Sequence, residues 1–408
     1  MMKSGCAMEK PQEKKAFGQS VLLSIVGLCI YNLTIQAFVY PTLDRILGHE
    51  SYGHMLTAIS VISVAAVSVG VGVNYARMAL SARVESANGD YNFALLVGAV
   101  LCGGAGVLAG RFVGMTGAVS YILLAFMSVS MMLRYYSDVD FRLDVNYRKL
   151  LIFYVVLSLG YVVGTLLFAK PDTWQAVFIA AELLSVLFVV LFGRIYREPF
   201  AFSQNRKTVF RSSAQLVSSQ VLANAILNCD RMLIGALMNG TAVTIFYTAS
   251  LLGKSVALLT GPFNGVIIGF LAKSNRKITR RFFMLCVAGA CAVSLLIFAV
   301  LIPVTPFVIR LLYPGLADSA APYYLWANAG QIVYFVANLL LVIALRFLSE
   351  RFQLFVNLGY TVLYLALCVP CLMQGDLMRF MQCALLANVI RFAAIVLTGY
   401  MKTKEVSA

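Results

Sequence analysis

Residues 220–254 read QVLANAILNCDRMLIGALMNGTAVTIFYTASLLGK. Two apolar runs flank the pair Asn239-Gly240, a turn signal, so the stretch reads as two helices joined by a short connection. With the residues on either side, each run is long enough to cross a bilayer core, which takes about 20 residues. Yet the stretch carries Asp230, Arg231 and Lys254. A charge at the centre of a spanning helix costs about 2.5–3.5 kcal/mol on insertion scales. It is kept where it faces a polar interior, meets a counter-charge or lines a pathway.

Outward from this stretch the chain stays apolar. Of 408 residues 61% are hydrophobic and 12% are charged, whereas a soluble domain has about 25% charged residues. The composition is that of a polytopic membrane protein. Twelve segments reach spanning length: 17–40, 53–75, 91–110, 115–133, 149–169, 173–193, 209–237, 241–270, 282–302, 320–345, 353–373 and 377–400. The polar segment 194–211, with Pro199, Arg194, Arg197, Arg206, Lys207 and Arg211, separates six spans from six. The expected fold is all-α, with a six-helix bundle in 1–193, a cytoplasmic linker in 194–211 and a second bundle in 212–408, arranged around a central cavity. A short echo between the halves, Asp44-Arg45 before Gly48 and Asp230-Arg231 before Gly235, agrees with two repeats related by an axis along the membrane normal.

The net charge of +15 is explained by topology. With the N-terminus in the cytoplasm, nearly all Lys and Arg fall in cytoplasmic connections, Arg134 among them. Arg45, Arg111, Lys170, Arg310 and Arg379 fall on the opposite side. Both termini are therefore expected in the cytoplasm, with anionic lipid headgroups rather than nucleic acid as neighbours of the basic loops. The N-terminal apolar run has no small-residue cleavage site and reads as a first spanning helix, not a signal peptide. Eight cysteines lie in apolar segments without metal-ligand spacing to His49 or His54; Cys368-Val-Pro-Cys371 reads as helix packing. No Walker motif or nucleophile–base pair occurs, so neither enzymatic chemistry nor a cofactor is expected.

Three cations, Arg231, Lys254 and Arg391, remain inside helices, with Asp230 as their acid. Polar residues recur three or four apart, on one helix face: Asn32 with Gln36; Asn74 with Arg77; Gln220, Asn224 and Asn228 with Arg231; Thr244 and Tyr247 with Lys254; Tyr324, Asn328, Gln331 and Asn338; Asn388 with Arg391. Interhelical hydrogen bonding accounts for single Asn or Gln residues. The surplus of buried positive charge points further, to an anionic ligand: Arg and Lys suit phosphate, and Asn, Gln and Tyr suit sugar hydroxyls. Asp230 is a candidate for H+ or Na+ coupling, or else a fixed counter-ion. Gly106 with Gly110, Gly160 with Gly164, and Gly261, Gly265 and Gly269 have the spacing of close helix crossings; Pro262 adds a flexible point.

The segment Tyr40-Pro41-x-x-Asp44-Arg45-x-Leu47-Gly48-x-Glu50-x-Tyr52-Gly53 resembles the region after the first helix in polysaccharide flippases of the Wzx type. GVNYARMALSAR (72–83), Asn228-x-Asp230-Arg231 leading to Tyr247, and Leu312-Tyr313-Pro314-Gly315 with Ala320 and Ala321 are similar to that family too; many members have Gly at the position of Pro314. The resemblance implies the MOP exporter superfamily, alternating access, and a bacterial inner-membrane location. The implied substrate is an oligosaccharide on undecaprenyl pyrophosphate, flipped from the cytoplasmic to the periplasmic leaflet for O-antigen, capsule or exopolysaccharide assembly. A polysaccharide polymerase and a chain-length regulator are the implied partners. The cationic cavity of the family would be supplied here by Arg231, Lys254, Arg391 and Arg77. The alternatives are a MATE-type drug or cation antiporter, a lipid II flippase and a membrane polysaccharide polymerase. The short outer loops and the shortage of histidine disfavour the polymerase.

Overall fold

The computed structural model describes residues 11–81, 83–258, 279–344, 348 and 350–403. Among these residues there is no strand, and each of the twelve expected spans corresponds to a helix. In chain order they are α1 (Pro11–Thr34, carried on by the π-helical turn Ile35–Val39 and by Tyr40–Leu47), α2 (His49–Leu80), α3 (Asn88–Phe112), α4 (Ala118–Ser137) and α5 (Tyr147–Phe168). They continue as α6 (Trp174–Phe192), α7 (Arg206–Leu237), α8 (Gly240–Leu258), α9 (Arg280–Leu312), α10 (Tyr324–Ala344), α11 (Glu350–Met373) and α12 (Leu377–Lys402). Ten described helical segments are long and apolar enough to cross a membrane. The two long helices not among them, α7 and the described part of α8, carry the charged stretch of residues 220–254. The expected flexible point at Pro262, with Gly261, Gly265 and Gly269, lies outside the described residues.

The helix ends follow from local chemistry. Gly48 takes φ 78° between α1 and α2, and its N–H donates to the Asp44 carbonyl at 2.9 Å. Side chains of Asn146, Thr279 and Asp376 accept backbone N–H groups at the starts of α5, α9 and α12. Such caps satisfy donors that the first helical turn leaves open.

Packing divides the chain into two units, Met1–Gly48 with Ala58–Asn228, and His49–Thr57 with Cys229–Ala408. The linker segment thus belongs with the first unit, and the division falls within α7. In the first unit α5 packs on α6, α3 on α4, α1 on α5 and α4 on α6. Gly160 and Gly164 lie against the α6 backbone at Ala181 and Val177, and Gly106 against α4 at Leu124 and Ala125, where a Cβ would collide. Small residues here allow the close approach that binds helices in lipid. In the second unit α10 packs on α8, α9 and α12, and α11 packs on α12. Phe283, Val287, Phe335, Leu340 and Ile395 form an apolar core there. Leu96, Val100, Leu101, Leu166, Leu285 and Leu295 are exposed, as side chains facing acyl chains would be.

Two features of the first unit correct the sequence reading. Arg134, expected on the cytoplasmic face, is buried against Glu182 of α6, an acid the reading overlooked. Its Nε donates to Glu182 Oε2 at 2.7 Å and its Nη2 to the Tyr31 hydroxyl at 3.0 Å. The Tyr161 hydroxyl donates to Glu182 Oε1 at 2.7 Å, and the Arg134 guanidinium lies 3.6 Å from the Tyr135 ring centroid. Asp230 is therefore not the only acid at depth, although this pair is neutral and leaves the positive surplus unchanged.

The second correction concerns Arg77 and Asn74, expected in the cavity. Arg77 donates to Glu198 at 2.8 Å, to Asn88 Oδ1 at 2.9 Å and to the Tyr136 hydroxyl at 2.6 Å. Asn74 donates to Asp138 Oδ1. Asn88 donates to the Ile195 carbonyl at 2.8 Å, and Gly89 N–H to the Ala201 carbonyl at 2.9 Å. Arg77 thus helps to fasten the 194–205 segment onto the ends of α2 and α3.

Removing one partner of a buried pair costs about 3–5 kcal/mol, whereas replacing both with apolar groups is often neutral. Arg134→Met and Glu182→Leu singly are expected to lower the melting temperature of the detergent-purified protein sharply. The double variant is expected to recover most of the loss in the same thermal-unfolding measurement.

Candidate functional site

The charged stretch enters the second unit at the end of α7. Asp230 and Lys254 meet across α7 and α8, with Lys254 Nζ 2.7 Å from Asp230 Oδ2. The other carboxylate oxygen accepts the Arg231 backbone N–H at 2.7 Å. The Lys254 ammonium also lies 4.9 Å from the centroid of the Phe246 ring. Asp230 is thus in an ion pair with Lys254.

Arg391 of α12 is held differently. It is 4% exposed. Its Nη2 donates to Asn338 Oδ1 and Asn357 Oδ1, both at 2.9 Å. Its guanidinium carbon lies 5.1 Å from the Tyr334 ring centroid and 4.9 Å from that of Tyr360, within cation–π range. Among the described residues no carboxylate forms an ion pair with it, and its buried Nε and Nη1 have no hydrogen-bond partner. The cage is neutral.

An aromatic wall links the two cations. Tyr334 contacts Tyr360 at a centroid distance of 6.3 Å, Tyr360 contacts Tyr364 at 5.7 Å, and Tyr364 contacts Phe380 at 6.3 Å. Phe380 in turn meets Phe246, which lies under Lys254, at 5.7 Å. Every ring in this series comes from α8, α10, α11 or α12. None of the tyrosines was singled out from sequence, nor was Asn357. Tyr360 and Tyr364 are one turn apart, and Asn357 lies one turn before Tyr360, so a polar stripe on α11 was available as a signal.

The remaining expected site residues fall into two groups. In the second unit, Asn328 accepts the Gly253 N–H at 2.7 Å and donates to the Ala249 carbonyl at 3.1 Å; Asn388 donates to the Gly330 carbonyl at 3.1 Å. These two are interhelical fasteners. Tyr247 is buried against Tyr52, and Gln331 is half-buried beside Gly253. In the first unit, Asn224 donates to Ser68 Oγ at 3.1 Å and Asn228 to the Asn224 carbonyl at 2.9 Å. Asn32 donates to the Leu28 carbonyl of its own helix, Gln36 lies in the π-helical turn, and Gln220 is half-buried. A cleft of about 410 Å³, lined by Asn239, Thr241, Tyr323 and Asp376 among others, opens at the α7–α8 and α11–α12 turns and holds none of the buried cations. No group of His, Cys, Asp and Glu suited to a metal ion occurs among the described residues.

A hydrogen bond to a charged group contributes about 1.5–3 kcal/mol. Asn338→Leu and Asn357→Leu are each expected to lower thermal stability by an amount in that range when Arg391 is present. In an Arg391→Met background the same changes are expected to be nearly neutral, as a double-mutant cycle of melting curves would report.

No family model and no curated protein matches the sequence. Solved structures do match. An inward-facing multidrug resistance MATE family transporter of the MOP superfamily aligns over 94% of this chain and 100% of its own, at 12% identity and TM-score 0.63. Its outward-facing counterpart aligns over 94% and 95%, at 12% identity and TM-score 0.61. A mutant of the Vibrio cholerae MATE transporter VcmN aligns over 95% and 96%, at 15% identity and TM-score 0.58. At these identities the likeness is one of fold: the chain has the all-helical, multi-pass architecture of MATE-type membrane transporters of the MOP superfamily.

Proposed function

We propose that the protein is a flippase that moves an oligosaccharide linked to undecaprenyl pyrophosphate from the cytoplasmic to the periplasmic leaflet by alternating access, for assembly of a surface polysaccharide. Arg391 is the observation that carries this reading. It is a buried guanidinium whose partners among the described residues are neutral amides and rings, with no acid paired to it there. Guanidinium N–H groups bind phosphate oxygens through charge-assisted hydrogen bonds. In the proposal Arg391 takes the pyrophosphate, with Arg231 and Lys254 as further cations, while Tyr247, Gln331 and the tyrosines of the aromatic wall meet the sugars.

Asp230 is the proposed H+ or Na+ site, because loading it would loosen Lys254 and free a second cation for the substrate. The setting is a bacterial inner membrane with both termini in the cytoplasm. A polymerase and a chain-length regulator would receive the product.

The second reading is a drug antiporter, favoured by the multidrug transporters among the structures of this fold. A cationic drug would need an acid, and Asp230 is engaged by Lys254.

The purified protein in proteoliposomes separates the two readings. Wild type is expected to flip a fluorescent polyprenyl-pyrophosphate glycan. Arg391→Ala is expected to lose about tenfold or more of that rate, the effect of roughly 1.4 kcal/mol or more in the barrier, while keeping a folded elution profile. Full flipping by Arg391→Ala, or gradient-driven ethidium export by wild type without lipid movement, would overturn the proposal.

A further inference from the structure

The cysteine motif in the sequence does not pair as written. Cys368 and Cys371 lie on α11 three residues apart, but Cys368 is fully buried and its Sγ faces the Phe380 carbonyl at 4.0 Å. Cys371 turns instead toward α12, where its Sγ lies 3.6 Å from that of Cys383. Both of these thiols are half-buried. Cys371 lies in the last turn of α11, next to the connection formed by Gln374, Gly375 and Asp376. That connection is fixed by Gly375 at φ 73°, by Gly375 N–H donating to the Leu372 carbonyl at 3.0 Å and by the Asp376 cap on α12. The two helices are thus held antiparallel with two sulfurs in van der Waals contact. A disulfide needs an S–S length of about 2.05 Å, so the sulfurs must approach by less than the width of an atom.

This inference rests on the proposed setting, a bacterial inner membrane with both termini in the cytoplasm, which puts the α11–α12 connection on the oxidising, periplasmic side. We propose that Cys371 and Cys383 form a reversible disulfide that staples α11 to α12. The thiolate of Cys371 attacks one sulfur of an external disulfide, either a small-molecule disulfide or a protein disulfide oxidoreductase, and the other sulfur leaves as a thiolate. Cys383 then attacks Cys371 Sγ in the mixed disulfide, the S–S bond forms, and the second external sulfur leaves. Two protein thiols are oxidised, the external disulfide is reduced to two thiols, and the two protons pass to those thiols.

The chemistry does not depend on what the chain transports. It does bear on the cation cage, because α11 supplies Asn357 and Tyr360 to Arg391 of α12. A staple between these helices fixes the register at which the three groups meet.

The test uses the full chain, purified in detergent under reducing conditions, transferred to oxidised glutathione and then denatured and labelled with a maleimide mass tag. Of nine cysteines, two are expected to escape labelling after oxidation, and dithiothreitol is expected to restore both. Peptide mass spectrometry is expected to find the Cys371 and Cys383 peptides joined and lighter by two hydrogens. Cys383→Ser is expected to leave Cys371 fully labelled, and Cys368→Ser to keep the cross-link. Unchanged labelling of wild type, or a cross-link that includes Cys368, would overturn the assignment.

Discussion

A charge at membrane depth must be answered from within the protein, because hydrocarbon offers neither water nor a counter-ion. Most of the polar architecture follows from that constraint. Arg134 is answered by Glu182 and Lys254 by Asp230, while Arg77, at the end of α2, is answered by Glu198 of the connection. Each of these pairs joins two separate segments, so the pairing also fixes how helices, or a helix and the 194–205 segment, sit together. Arg391 meets the same constraint without an acid among the described residues. Two hydrogen bonds to amide oxygens and two ring faces stand where the other cations have a carboxylate. The cage therefore holds the charge without an ion pair among the described residues.

The helices were legible because apolar run length is a strong, local signal. Every expected span has its helix. Charges were harder to place. Arg134 sits at the end of an apolar run, and counting loops by charge cannot tell a solvated arginine from one that folds back onto a neighbouring helix. Glu182 stands in the middle of the apolar run WQAVFIAAELLSVLFVVLF, and an acid in that position signals a buried basic partner. The partners of Arg391 come from α10 and α11, which are distant in sequence. No periodicity within one helix specifies which stripe a neighbour presents. Asn74 and Arg77 share a face, as expected, but that face meets a local polar cluster. Spacing reports which residues look the same way and leaves open what they look at.

The MATE-type fold does not choose a substrate, since one fold serves many functions and specificity resides in the site. The choice between an anion and a cation rests instead on where carboxylates lie. Among the described acids of the second unit, Glu50 is in the first turn of α2, Asp318 is in a short helix before α10, Glu350 is the first residue of α11, and Asp376 caps α12. All four stand at helix ends. Asp230 is the acid on the wall, and its two oxygens are taken by Lys254 and a backbone N–H. A cationic ligand binding there would have to displace an ammonium at 2.7 Å and leave it unpaired at depth. In the proposed reading an anionic ligand faces the opposite situation: at Arg391 it would break no ion pair among the described residues. At Lys254 the same ligand could replace Asp230 as the partner, and the carboxylate so released would then want a proton or a sodium ion. In the proposed flippase, anion entry and cation uptake would thus be linked through one ion pair, with Arg391 as the cation that needs no release.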